Sequence, residues 1–167
     1  MTESNDLPEP DPFSPAEFDA WRGLIRLRES VMREIDVRLR DAGEITVDDY
    51  GVLVTLVGQP ERRLRMSALG ARRLLTPSGI TRAVMRLEAR GLVQRVQDPE
   101  DRRASFAVLT DAGVAALRRA QRVHHAAVRK LYLSRLTVSE QRQLARLFEK
   151  SLPGVVSSTE WPATPPR

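Results

Sequence analysis

Residues 76–113 read TPSGITRAVMRLEARGLVQRVQDPEDRRASFAVLTDAG, and this stretch decides the fold. Thr76-Pro77 is a helix cap followed by a proline at the first helical position, where its missing N–H costs nothing. Ile80, Val84 and Leu87 follow at i, i+4 and i+7, one face of a helix that Gly91 ends. Ser78, Thr81, Arg82, Met85, Arg86 and Arg90 occupy its other faces. Two β-like runs, 92–97 and 104–109, then flank the loop DPEDRR, which carries five charges in six residues. Thr110 caps the next helix. A helix is followed at once by a charged-tip hairpin and a second helix.

Upstream, LRMSALGARRLL (64–75) predicts a short helix from about Ser67 to Leu75, with Leu69 and Leu74 facing inward. Paired with the helix after Thr76 it makes a helix-turn-helix, and the hairpin behind it makes the unit a winged helix. In such a unit the second helix enters a DNA major groove and the hairpin extends beside it. Further out, SPAE (14–17) is a capping box with proline at the first helical position. Phe18, Trp21, Ile25, Met32, Ile35 and Leu39 form a stripe along the helix it opens, to about Ala42 and Gly43. TVDD (46–49) opens a second helix with Tyr50, Leu53, Val54 and Val57, stopped by Gly58-Gln59-Pro60. Beyond Thr110, Val114, Leu117, Gln121, His124, Val128 and Leu131 stay in register, and TVSE (137–140) opens a last helix with Leu144, Leu147, Phe148 and Leu152. The expected fold is mainly α (α+β): a winged helix-turn-helix lobe at 46–109, flanked by helices at 14–45 and 110–152. The Pro-rich ends, 1–13 and 153–167, are expected to be disordered tails.

Composition narrows the function. The 167 residues are 41% apolar, enough for one well-buried domain, and contain no cysteine, which removes disulfides, thiol redox sensing and Cys-based zinc sites. The acidic N-terminal stretch lacks a signal-peptide pattern and no apolar run is long enough to span a bilayer, so a cytoplasmic protein is expected. Net charge is +5, but residues 62–103 hold eleven arginines against four acids, and the rest of the chain has a slight acidic excess. The preference for Arg over Lys is compatible with codon bias; the scarcity of acids in this one segment is not. A localised basic patch points first to nucleic acid.

Each candidate residue has a plain reading beside the functional one. The helix after Thr76 offers Thr76, Ser78 and Thr81 as compact donors and acceptors, and Arg82 and Arg86 as bidentate donors suited to guanine. The same pattern describes an amphipathic helix with a solvated face. In the loop, Arg103 fits a narrow minor groove, Asp101 two residues earlier is placed to orient it, and Arg102 suits a phosphate. The plain reading is a charged hairpin tip that blunts edge-to-edge association. The charge asymmetry favours DNA.

The segments TR (81–82), RLEARGLV (86–93), DPEDRR (98–103) and LTDAG (109–113), in this order, resemble the MarR family of bacterial transcription regulators, and the likeness extends over about 18–152. The resemblance implies a homodimeric winged-helix repressor or activator on a pseudo-palindromic operator, nucleoid-associated when bound, with the helices at 14–45 and 110–152 as its dimerisation helices. It implies that Asp101 aims Arg103 and that residues 77–90 are the recognition helix. It also implies a cleft for a small aromatic or phenolic effector, for which Trp21, Arg22, Arg26, Tyr50 and His124 are candidates. Packing in the core or an interface is the better account of both Trp21 and Tyr50. Adjacent His124 and His125 point about 100° apart on a helix, so no metal is expected, and no cofactor. The sequence lacks the signatures of an enzyme. The competing functions are a winged-helix protein–protein adaptor without DNA binding and, with only 5% aromatics for base stacking, an RNA binder.

Overall fold

The structure is a computed structural model describing residues 12–156 except 44, 74, 99, 100, 102 and 103. Leu74, Arg102, Arg103, Pro99 and most of both expected tails lie outside the described residues. Six helices follow the expected order: α1 (Pro15–Asp41), α2 (Val47–Val57), α3 (Met66–Arg73), α4 (Pro77–Ala89), α5 (Asp111–Leu131) and α6 (Val138–Ser151). Short 3₁₀ turns sit at Pro60–Arg62 and Leu133–Arg135.

The caps anticipated from sequence are in place. Ser14, Thr46 and Thr137 each form a reciprocal capping box with the acid three residues on, and Thr76 and Thr110 accept from the N–H of Gly79 and Gly113. Each cap satisfies donors the helix cannot, typically worth ~1 kcal/mol. Gly91 follows α4 with φ +68°, a conformation in which a side chain is strained.

The wing differs from the expected hairpin. Its sheet has three strands, in the order β1 (Arg63–Arg65), β3 (Ser105–Leu109), β2 (Val93–Gln97), all antiparallel. Three residues are too few to show an alternating pattern, and the partner of β1 lies some forty residues downstream, so local sequence does not reveal it. The register places Leu64 opposite Ala107 and Val93 opposite Leu109 on the core side, and Arg63 and Arg65 opposite Val108 and Phe106 on the outer side. α3 starts one residue earlier than expected and ends at Arg73. Residues 153–156, assigned to the tail from their composition, instead turn back on α6: Glu149 Oε1 and Oε2 accept from the N–H of Gly154 (2.8 Å) and Val156 (2.9 Å).

The core is organised around α2, whose residues Asp49–Leu56 are all buried. Ile80, Ala83, Val84 and Leu87 of α4, Leu69 of α3, Ile35 and Leu39 of α1, and Ala116, Leu117 and Ala120 of α5 close around it. Burial of each large side chain contributes about 1.5–3 kcal/mol. The start of α5 is locked to the end of the helix-turn-helix. Thr110 Oγ1 donates to Gly91 O (2.8 Å) and Thr110 N to Leu92 O (3.2 Å), and a Cβ on Gly113 would collide with Leu92 O. The LTDAG segment therefore has a packing reason: the cap and the glycine let a helix start against a strand.

Candidate nucleic-acid interface

α4 has two faces. Ile80, Ala83, Val84 and Leu87 are buried against α2, which fixes the helix and turns the opposite side outward. Ser78, Thr81, Arg82 and Met85 share that outer side within about 100° of arc. Arg82 is exposed and makes no hydrogen bond or ion pair among the described residues, so its guanidinium is available to a ligand. Met85 is 55% exposed, an apolar group beside it.

Three other candidates on this helix are engaged locally. Thr76 Oγ1 caps Gly79 N–H (3.1 Å) and lies 3.2 Å from Ser78 Oγ. Thr81 Oγ1 donates back to Pro77 O (2.8 Å), leaving its lone pairs outward. Arg86, grouped with Arg82 from sequence, is turned toward α2: its Nη2 donates to Asp49 Oδ1 at 2.7 Å. Asp49 is the buried acid of the α2 capping box, so Arg86 ties α4 to the start of α2 while remaining half exposed.

The wing loop closes on itself at both ends of DPEDRR. Asp98 N donates to Ala104 O (3.1 Å) and Ala104 N to Asp101 O (2.9 Å). Asp101 is exposed. Asp98 is not a loop-tip charge: it is 3% exposed, and Arg65 Nη2 donates to its Oδ2 at 2.6 Å. Arg63 and Arg65 also approach the Phe106 ring, at 4.0 and 5.5 Å from its centroid. This cluster of Arg63, Arg65, Asp98 and Phe106 was missed from sequence. Its members span more than forty positions, and the available signal, arginines alternating at 63 and 65 before a helix, reads as a basic linker.

The effector candidates divide. Tyr50 and His124 meet, with rings stacked at 4.4 Å and 16°. Burial, and secondarily His125, lowers the His124 pKa to about 4, so the ring is neutral at physiological pH. Trp21, Arg22 and Arg26 lie on the exposed N-terminal half of α1, and Arg22 pairs with Asp19 at 2.5 Å. A polar cleft of about 540 Å³ lies elsewhere, between α1, the start of α2 and α4, lined among others by Arg33, Asp36, Arg40, Thr46, Asp48 and Arg86. Burial raises the Asp36 carboxyl, but the Val47 N–H and Arg40 outweigh it and hold it below its usual value. No group of His and acids among the described residues has the arrangement of a metal site.

Known proteins share this architecture. The model of the MarR family matches residues 44–104. Sco3205, a MarR family transcriptional regulator from Streptomyces coelicolor solved in complex with DNA, is 37% identical, covering 87% of this chain and 92% of its own, with a TM-score of 0.76. The chain belongs to the MarR family. AbsC, another MarR family transcriptional regulator from the same organism, is 27% identical with a TM-score of 0.74, covering 90% of this chain and 98% of its own. The HTH-type transcriptional regulator YkoM of Bacillus subtilis is 28% identical over 142 residues, 83% of this chain and 90% of that protein. No helix among the described residues is long and apolar enough to cross a membrane.

Proposed function

We propose that this MarR family transcriptional regulator binds double-stranded DNA through the outer face of α4 and the wing, acting as a homodimer on a pseudo-palindromic operator. The observation that carries this reading is α4 itself. It is anchored by a fully buried face and presents Ser78, Thr81, Arg82 and Met85 on the other, within the segment that holds the chain's positive excess. Arg82 is the candidate base reader, and Met85 suits contact with a thymine methyl. Arg103, aimed by Asp101, is the wing contact in the minor groove, and Arg102 beside it suits a phosphate. Arg86, held by Asp49, sets the pose of α4 and reaches DNA only from the flank.

The dimer is supported by apolar surface that one protomer leaves open. Phe18, Trp21, Leu24 and Leu27 of α1 and Leu147 of α6 are 42–56% exposed. A cleft of about 200 Å³ between these helices is lined by Leu24, Leu27, Val31, Tyr132 and Phe148. Two-fold pairing through this face sets half-sites about one helical turn apart, ~10 bp. The cleft lined by Arg33, Arg40 and Arg86 together with Asp36 and Asp48 is a second candidate site for a small effector, because it is open and adjoins α4. An effector there favours a ligand-responsive repressor.

The test is binding to a duplex from the region upstream of the protein's own gene, measured by anisotropy as salt is raised. Affinity is expected to fall steeply with salt. Arg82→Ala is expected to cost about 1–3 kcal/mol and to relax sequence discrimination. Arg103→Ala is expected to weaken binding while sedimentation still shows a dimer. Absent or salt-insensitive binding by the wild type overturns the reading in favour of the adaptor.

A further inference from the structure

The buried acid of the wing loop serves a residue that the α4-and-wing reading leaves unused. Asp98 holds Arg65, the last residue of β1, which directly precedes Met66, the first residue of α3. Arg65 faces outward opposite Phe106, and Arg63, two residues back on the same side, lies over the same ring. A carboxylate only 4% exposed and an aromatic face therefore restrain the Arg65 guanidinium, while its side chain remains 50% exposed. Among the described residues that guanidinium makes no other hydrogen bond, so most of its planar fork of five donors is open.

Its place in the fold gives these donors a direction. The first turns of α3 and α4 border a common cleft of about 360 Å³, lined by Met66, Ser67, Pro77, Ile80 and Thr81 among others. Arg65 therefore adjoins the rim whose far side is the first turn of α4. On its other flank, Phe106 is the second residue of β3, next to the end of the wing loop. Arg65 thus stands between the two elements assigned to DNA. Two guanidinium groups near one ring repel each other, and an anion bridging outward from them relieves that repulsion. Fixed at a strand end rather than on the groove-reading helix, Arg65 is suited to the phosphodiester backbone, which carries register and orientation but no sequence information.

We propose that Arg65, preset by Asp98 and Phe106, is a DNA-backbone contact that fixes the position of the wing relative to α4 on the duplex. The inference rests on the DNA-binding reading and adds a residue to it. The wing loop then carries two acids with separate duties, Asp101 at the tip and Asp98 at the root.

The experiment titrates the full chain onto two labelled duplexes, one from upstream of its own gene and one of random sequence, between about 50 and 200 mM salt. Arg65→Gln keeps the stem over Phe106 and removes the charge. It is expected to bind both duplexes about tenfold more weakly, with discrimination between them unchanged. Its slope of log K against log salt is expected to be shallower by ~0.9, one phosphate contact. Arg65→Lys is expected to keep the wild-type slope, as is Asp98→Asn, whose affinity is expected to drop because Arg65 is no longer held. An unchanged slope in Arg65→Gln, or a loss confined to one duplex, overturns the proposal while leaving DNA binding through α4 intact. If the wild type binds neither duplex, the DNA reading itself falls.

Discussion

Helices α2 and α6 both open with a reciprocal capping box and both carry apolar residues at helical spacing, yet they end in opposite surroundings. In α2 every residue from Asp49 to Leu56 is buried, whereas α6 has no buried residue at all. Leu147 and Leu152, in the expected stripe of α6, are 51% and 62% exposed. An apolar stripe records that a face is to be covered; it does not say by what. α2 is covered by its own chain on every side. The face of α6, with the N-terminal half of α1 beside it, is left for another surface.

Four substitutions break or sharpen this contrast. The largest effect is expected at the centre of α2: Leu53→Ala, at a position with no exposure, should destabilise the protein by about 2–5 kcal/mol in urea unfolding. A smaller loss is expected where α2 is tied to α4. Arg86→Ala leaves the buried Asp49 carboxylate without its ion pair and should cost about 1–3 kcal/mol, whereas Arg82→Ala in the same helix should stay within ~0.5 kcal/mol. Matching losses at the two arginines would show that Arg86 is no more structural than Arg82. The smallest effect on the protomer is expected at α6. Leu147→Ala should change concentration-independent unfolding by less than about 0.5 kcal/mol, yet shift the monomer–dimer balance toward monomer in sedimentation. If Leu147→Ala destabilises as much as Leu53→Ala, the contrast between the two helices is false.

Local signals were legible and distant ones were not. The caps at Ser14, Thr46, Thr76, Thr110 and Thr137 depend on residues within three positions, and all were readable from sequence, as was the inward face of α4. β1 was not, because a three-residue strand exists only through its pairing with β3. The same limit separates Arg82 from Arg86. Four positions apart on one helix they look alike, and what distinguishes them is Asp49, thirty-seven residues away. Asp98 resembled its neighbours in DPEDRR, but Arg65 lies thirty-three residues before it. The stacking of Tyr50 on His124, seventy-four residues apart, was hidden for the same reason: helical spacing gives a face, and what meets it depends on which other helices cross it.

The junction of Thr110 and Gly113 with Gly91 and Leu92 has a mechanical consequence. With its first turn clamped to the end of the recognition unit, α5 behaves as a stiff lever of 21 residues, about 31 Å long. Its far end reaches Tyr132, which lines the apolar cleft with α1 and α6. A tilt of about 5° at that end displaces the other by roughly 3 Å, close to one base-pair step of ~3.4 Å. In a dimer built on that cleft, the crossing angle of α5 therefore sets how far apart the two reading heads stand. Without any change in α4 itself, a small rotation between protomers is enough to take them out of phase with an operator.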